Sequence, residues 1–93
     1  MTVIVKSSPD TPEGKRGLQT AIELGAAHLV LLQNGVYAVH SEAASAPDMQ
    51  VCAIKEDCLM RGIPVHPDSK VRMIDYDELV DILQQSDHVV GMM

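Results

Sequence analysis

Aromatic residues are almost missing from this 93-residue sequence, which has no Phe, no Trp and only two Tyr. A core without Phe or Trp has to be assembled from Leu, Ile, Val, Ala and Met. Proteins that hold single-stranded nucleic acid stack its bases on aromatic side chains, and binding to phosphate backbones needs clustered Lys and Arg. Here 7 basic residues are scattered among 13 acidic ones, which gives a net charge of −6. We therefore expect no direct binding to nucleic acid.

Long apolar runs are also absent from the sequence. No stretch approaches the roughly 18 consecutive apolar residues of a membrane-spanning helix. The first residues, Met-Thr-Val-Ile-Val-Lys, have the pattern of a strand and lack the charged start and cleavage site of a signal peptide. We therefore expect a cytoplasmic protein without a membrane partner.

Motifs for metals and cofactors are missing too. Cys52 and Cys58 have neither the Cys-x-x-Cys spacing of redox sites nor that of zinc sites, and cytosolic thiols are kept reduced. The four His lie on separate segments. Residues 6–15 contain neither of the glycine patterns that bind nucleotide phosphates, although the hydroxyls of Ser7 and Ser8 can donate to an anion. We expect no metal and no cofactor.

One continuous apolar run stands out, Leu-Val-Leu-Leu at residues 29–32. A strand with a single buried face alternates apolar and polar residues, so a continuous run predicts a strand covered on both faces at the centre of a parallel sheet. Asn34 and Gly35 follow it, and both tolerate positive φ, which predicts a turn. Ligands of open parallel sheets gather at the carboxyl ends of the strands, where Gln33 and Asn34 are expected to lie.

The remaining patterns alternate between strand and helix. Strands are predicted at residues 3–5, 29–32, 49–54 and 71–75. Helices are predicted at 12–24, at 58–61 after a turn at 55–57, and from the expected cap Asp77 onward. Residues 36–39 fit a short helix or a strand, with helix favoured, and the apolar residues 89–93 can pack on the sheet or on a neighbouring subunit. This order predicts a single α/β domain over residues 1–93, with three layers and a mainly parallel sheet of about four to five strands flanked by helices.

Cys58 is the candidate catalytic residue, because a thiol at the start of a helix is stabilised as a thiolate by the helix dipole. Glu56 and Asp57 oppose that effect, since their negative charge raises the pKa of the thiol. A buried cysteine that only fills the core is the favoured interpretation, and a disulfide with Cys52 is a weaker alternative. Most of the acidic residues are expected on solvated helix faces and at caps, and they form no obvious acid–base pair.

Three segments in the same order resemble the DsrH/TusB family of sulfur-relay subunits. Residues 29–36, Leu-Val-Leu-Leu-Gln-Asn-Gly-Val, are similar to the family's Leu-Leu-Leu-Gln-Asp-Gly-Val. Residues 53–62, Ala-Ile-Lys-Glu-Asp-Cys-Leu-Met-Arg-Gly, resemble Ala-Leu-x-x-Asp-Leu-x-x-Arg-Gly. Residues 74–80, Ile-Asp-Tyr-Asp-Glu-Leu-Val, resemble Ile-Asp-Tyr-x-x-Phe-Val. The resemblance extends over nearly the whole chain.

The resemblance implies a small α/β fold that assembles with DsrE/TusD-like and DsrF/TusC-like subunits, or with copies of itself. It also implies transfer of persulfide sulfur between proteins, toward 2-thiouridine in tRNA or in dissimilatory sulfur metabolism. The reactive cysteine of such complexes belongs to the DsrE/TusD-type subunit, and Ile54 stands at its position here. Cys58 stands where the family has an apolar Leu.

The leading hypothesis is therefore an accessory or sulfur-carrier subunit of an intracellular sulfur-relay complex. The carrier version would place a persulfide on Cys58. The alternative is a stand-alone oligomeric α/β protein that binds a small ligand at the carboxyl edge of the sheet.

Overall fold

The structure is a computed structural model that describes residues 1–46, 48–66 and 69–92. Its strands are β1 (Thr2–Val5), β2 (His28–Leu31), β3 (Gln50–Ile54), β4 (Arg72–Ile74) and β5 (Val89–Met92). Its helices are α1 (Pro12–Glu23), α2 (Lys55–Met60) and α3 (Tyr76–Gln85), with 3₁₀ helices at Gln33–His40 and Glu42–Ser45. The predicted domain boundary of 1–93 stays a prediction, since its last residue lies outside the described part of the chain.

The sheet has five strands in the order β4-β3-β2-β1-β5, and every neighbouring pair is parallel. β2 is the central strand, as its continuous apolar run predicts. Leu29, Val30 and Leu31 are all 0% exposed, so both faces of this strand are covered. The predicted α/β fold with a parallel sheet is confirmed.

Helices cover both faces of the sheet and make the three predicted layers. One face packs against α1, the first 3₁₀ helix and α2, in a cluster that includes Leu29, Leu31, Ala21, Val36 and Cys58. The other face packs against α3, in a cluster that includes Val30, Cys52, Ile54, Ile74 and Leu79. Residues 36–39 belong to the 3₁₀ helix, so the favoured helical interpretation of that segment is confirmed.

The start of α1 is built around a close backbone contact. Thr11 caps the helix and Pro12 is its first residue, as predicted, and the Thr11 hydroxyl accepts the Gly14 N–H at 3.1 Å. A Cβ on Gly14 would lie 2.0 Å from the carbonyl oxygen of Ser8. Glycine at this helical position therefore lets α1 pack against the loop that follows β1. The predicted end of the helix is also confirmed, because Gly25 adopts φ 63 just after it.

The turn after β2 differs from its predicted geometry. The positive φ, 51°, falls on Gln33 and not on Asn34 or Gly35. Gly35 is needed for a close backbone contact and not for a positive φ, because a Cβ there would lie 2.1 Å from the carbonyl oxygen of Val5. The glycine thus allows the 3₁₀ helix to lie directly against the end of β1.

The cap of α3 is Asp75, and the prediction of Asp77 is wrong. Asp75 has an extended backbone (φ −97, ψ 178), and its side chain accepts the Glu78 N–H at 2.8 Å. An N-cap residue must be extended and must reach the amide three positions ahead. Asp75 meets both conditions, and Tyr76 then becomes the first helical residue.

Candidate functional site at the carboxyl edge of the sheet

Three connections leave the carboxyl edge of the sheet side by side. β2, β3 and β4 are adjacent and parallel, so the segments that follow them emerge at the same edge. The first 3₁₀ helix follows β2, α2 follows β3 directly, and α3 follows β4. The residues of the three resemblance segments therefore converge at one place, where open parallel sheets usually bind their ligands or partners.

Asp57 joins the three connections through its carboxylate. Its Oδ2 atom accepts the backbone N–H of Gln33 at 2.8 Å and the hydroxyl of Tyr76 at 2.9 Å. Asp57 is only 7% exposed. A buried carboxylate needs such donors, because burial without them would be strongly unfavourable.

Arg61 completes the network from the end of α2. Its NH1 atom lies 3.8 Å from the Asp57 Oδ1 atom and donates to the Asp57 carbonyl oxygen at 3.2 Å. Its Nε atom donates to the Asn34 Oδ1 atom at 3.0 Å. Arg61 therefore balances the charge of Asp57 and fixes the side chain of Asn34 at the surface.

The Asp57 network, which we define as Gln33, Asn34, Asp57, Arg61 and Tyr76, was only partly foreseeable. Asp57 is buried and is an exception to the expectation that most acidic residues lie on solvated faces or at caps. The i, i+4 spacing of Asp57 and Arg61 was the available signal, since such residues meet on one face of a helix. No local pattern indicates that Tyr76 contacts Asp57.

Gln33 has a strained backbone that the network stabilises. A left-handed φ is uncommon for residues other than glycine, asparagine and aspartate. The bond from the Gln33 N–H to Asp57 holds that conformation and turns the chain from β2 into the 3₁₀ helix. Strained residues of this kind cluster at functional sites.

Cys58 lies next to the network, but its thiol points into the core. It is 1% exposed and belongs to the cluster beneath α1, whereas Cys52 belongs to the cluster on the opposite face of the sheet. Both cysteines are free. Burial raises the pKa of the Cys58 thiol, the negative charge of Asp57 raises it further, and Arg61 partly offsets these effects. The catalytic assignment of Cys58 stays a prediction.

In the loop after β1, the hydroxyl of Ser8 already has a partner within the loop. The Ser8 hydroxyl donates to the Asp10 carboxylate, and this bond is the main reason that the pKa of Asp10 is lowered. The Ser8 carbonyl oxygen accepts the Thr11 hydroxyl at 2.6 Å. An open cleft of about 460 Å³ remains between Ser8, Pro9, Asp10 and Tyr37. The negative charge of Asp10 there disfavours an anionic ligand.

Neither a metal site nor a membrane-spanning helix is found among the described residues. Within residues 1–46, 48–66 and 69–92, no three His, Cys, Asp or Glu side chains come together in a way that could hold a metal ion. In the same part of the chain, none of the helices has the length and apolar character needed to cross a membrane.

Titration of Tyr76 gives a direct test of the network. Burial raises the pKa of its phenol, and the hydrogen bond to Asp57 and the negative charges of Asp57 and Glu56 raise it further, against Arg61. The neutral phenol is thus favoured in the folded state, so its contribution to stability is complete below the ordinary pKa of about 10. That contribution is lost as the pH rises through the higher pKa of the folded protein.

We expect the ultraviolet titration of phenolate to show a component that ionises above the ordinary tyrosine range. Tyr76→Phe should remove that component and weaken the loss of stability at alkaline pH. Tyr37→Phe is the matched control, because these are the only two tyrosines of the chain. A late component that survives Tyr76→Phe would contradict the assignment.

Comparison with known proteins identifies the family. The model of the family described as DsrH-like protein matches residues 12–89. No curated protein sequence matches the chain. A solution NMR structure of the Tm0979 protein of Thermotoga maritima is 33% identical, with 92% of this chain and 93% of that chain covered and a TM-score of 0.62.

A second NMR structure, of the same Thermotoga maritima protein, is 34% identical, covers 98% of this chain and 100% of that chain, and has a TM-score of 0.64. It describes that protein as a proposed sulfur transferase. The family match spans all three connections that build the Asp57 network. This chain therefore belongs to the family of DsrH-like proteins.

Proposed function

We propose that the chain is an accessory subunit of an intracellular sulfur-relay complex and acts through its interfaces. The observation that carries the proposal is the DsrH-like family match over residues 12–89. The similarity to a proposed sulfur transferase supports it. The complex would pass persulfide sulfur toward 2-thiouridine in tRNA or in dissimilatory sulfur metabolism. Its other members would be DsrE/TusD-like and DsrF/TusC-like chains, or further copies of this one, in the cytoplasm.

The burial of both thiols favours an accessory subunit over a sulfur carrier. A persulfide carrier needs an accessible thiol that ionises readily. Cys52 and Cys58 are 0% and 1% exposed, and burial is the largest effect that raises the pKa of each thiol. Ile54, which stands where the resemblance places the reactive cysteine of the partner type, is 0% exposed at the end of β3.

The Asp57 network then acts as a support for a docking surface. It fixes the turn after β2, where the side chains of Gln33 and Asn34 are exposed. Next to it, α2 exposes Leu59 and Met60, at 71% and 80%. Neighbouring exposed apolar side chains with fixed polar groups beside them are typical of protein–protein interfaces. We propose that a sulfur-carrying partner docks on this carboxyl edge.

Persulfide formation on Cys58 is the decisive alternative. Incubation with a cysteine desulfurase and cysteine, followed by mass spectrometry without reductant, measures it directly. We expect no sulfur adduct on Cys58, and alkylation of this thiol at least on the order of a hundredfold slower in the folded than in the unfolded chain, because the thiol is exposed only in rare open states. An established persulfide carrier in the same mixture is the positive control. A stoichiometric adduct on Cys58 would make the chain a carrier.

The cleft beside Asp10 favours one second candidate function, a stand-alone protein that binds a small ligand. The cleft lies next to the end of β1 and has Tyr37 as one wall. An uncharged or cationic molecule fits the negative charge of Asp10 better than an anion does. A ligand that raises the Tm of the wild type but not of Asp10→Ala, together with the absence of any protein partner, would favour this function.

A further inference from the structure

The loop that follows β1 borders a cleft at the same edge of the sheet as the proposed docking surface. The cleft has a volume of about 460 Å³ and is lined by Ser8, Pro9 and Asp10 of this loop and by Tyr37 of the first 3₁₀ helix. β1 is parallel to β2 and adjacent to it, so the loop leaves the sheet at the carboxyl edge. Tyr37 belongs to the same 3₁₀ helix as Gln33 and Asn34, whose side chains are exposed on that surface.

β1 also lies where the strand order of the sheet reverses. Its two neighbours are β2 and β5. The chain reaches β2 through α1, which packs on one face of the sheet, and reaches β5 through α3, which packs on the other face. Open parallel sheets bind their ligands in the crevice at the carboxyl end of such a reversal. The position of the cleft in the fold therefore indicates a binding site, independently of the residues that line it.

Two close glycine contacts hold the walls of the cleft in place. At Gly14, α1 lies directly against the carbonyl group of Ser8, and at Gly35 the 3₁₀ helix lies directly against the end of β1. The Ser8 carbonyl oxygen also accepts the Thr11 N–H at 3.0 Å and the Thr11 hydroxyl at 2.6 Å. A site that is ordered before binding loses less conformational freedom when its ligand arrives.

The groups at the cleft favour a cation. The hydrogen bond from the Ser8 hydroxyl lowers the pKa of Asp10, so its carboxylate is ionised at neutral pH. Lys15 contributes to this lowering of the pKa, but among the described residues Asp10 forms no ion pair. Tyr37 is 47% exposed, and the face of an aromatic ring attracts cations. A carboxylate and an aromatic ring thus face the same cleft.

A guanidinium group suits these two walls better than an ammonium group does. It is planar, so it donates two parallel N–H bonds to a carboxylate and stacks on an aromatic ring, whereas an ammonium group is a compact point charge. The cleft is open, although sites for free small molecules enclose most of the surface of their ligand. A side chain presented by another protein needs no such enclosure, because the rest of the interface holds it.

We propose that the cleft binds an arginine side chain of the partner protein that docks on the carboxyl edge. The guanidinium group donates to the Asp10 carboxylate and stacks on the Tyr37 ring. Arginine is enriched among the residues that contribute most to protein–protein binding. This inference rests on the proposed function and deepens it, because it names the chemical group by which the partner is recognised. It differs from the small-ligand function, in which a free molecule fills the same cleft.

A peptide titration tests the chemistry of the cleft in the isolated chain. The two peptides, at equal ionic strength, are acetyl-Gly-Arg-Gly-amide and the same peptide with citrulline, which has the shape of arginine without its charge. We expect the arginine peptide to shift the NMR signals of the Tyr37 ring at least about threefold more, because only a cation is attracted by both walls. Asp10→Asn should remove this difference, and Asp81→Asn, on α3, should keep it. Equal shifts with the two peptides would overturn the proposal.

Arginine footprinting of the complex purified with the tagged chain tests where the guanidinium group comes from. Phenylglyoxal modifies accessible arginine side chains, and mass spectrometry locates the modified positions. We expect one arginine of the partner to react at least about threefold more slowly with the wild type than with Asp10→Asn, because a covered group reacts only when its site opens. Asp81→Asn is again the control and should match the wild type.

The footprint separates failure of this inference from failure of the proposed function. A partner without any arginine that Asp10 protects would overturn the arginine contact and leave the sulfur-relay proposal untouched. A free guanidinium compound in the cleft of the chain purified from its native cells would also overturn it, in favour of the small-ligand function. Recovery of no partner protein would contradict the proposed function itself, and the peptide titration would still decide the chemistry of the cleft.

Discussion

Asp57→Ala is expected to lower the free energy of unfolding by about 3 kcal/mol or more, since breaking a buried charge network leaves its partners unpaired. The substitution removes the acceptor of the Gln33 N–H and of the Tyr76 hydroxyl. It also leaves Arg61, whose side chain is 21% exposed, without its counter-charge. Gln33 would lose the bond that holds its left-handed backbone. One change thus loosens all three connections at the carboxyl edge.

Two further variants define what is lost at position 57. Asp57→Asn keeps one acceptor oxygen and the shape of the side chain, so we expect a smaller loss of about 1–2 kcal/mol. Asp81→Ala removes an exposed carboxylate from α3 and should stay within about 0.5 kcal/mol of the wild type. Urea unfolding measures the free energy of unfolding of all three variants, Asp57→Ala, Asp57→Asn and Asp81→Ala. If Asp57→Ala were no less stable than Asp81→Ala, the network would have no structural importance.

Gly35→Ala is expected to lower the free energy of unfolding by about 3 kcal/mol, because overpacking a rigid contact forces the backbone to shift. The added Cβ would lie 2.1 Å from the carbonyl oxygen and 2.9 Å from the carbonyl carbon of Val5. Both atoms belong to the backbone of β1, whose Val5 is fully buried. Neither can move without disturbing the sheet, and the 3₁₀ helix would have to lift away from it.

Gly62→Ala separates this contact from the general effect of replacing a glycine. Gly62 adopts φ 63, and a Cβ there would meet nothing within 4 Å. Its replacement should therefore cost only the strain of a left-handed alanine, about 1 kcal/mol. Thermal and urea unfolding measure how much each of the two variants lowers the free energy of unfolding. Equal losses would mean that the close approach at Gly35 is not important for stability.

The sheet could be predicted from the sequence because its signals are local. The continuous apolar run of residues 29–32 indicates a strand covered on both faces, and β2 is the central strand. Thr11 and Pro12 mark the start of α1 in the same local way. The cap of α3 was misplaced because Asp75 and Asp77 are both good caps, and only the backbone geometry distinguishes them.

The sequence predicted where the site lies in the fold, but not which of its residues contact one another. The resemblance segments contain every residue of the Asp57 network, but they do not show that Asp57 contacts residues that are 24 and 19 positions away. The left-handed φ of Gln33 depends on one of those long-range bonds. Asp57 is an exception to the usual solvation of carboxylates, because two other chain segments converge on it and supply hydrogen-bond donors.

We propose that this chain takes part in sulfur relay without carrying the sulfur itself. The most direct measurement is mass spectrometry of persulfides, blocked by alkylation, in complexes purified with the tagged chain from its native cells. We expect that a partner with a persulfide on one of its own cysteines co-purifies equally with the wild type and with Cys58→Ser. A persulfide found on Cys58, or no persulfide-bearing partner at all, would contradict it.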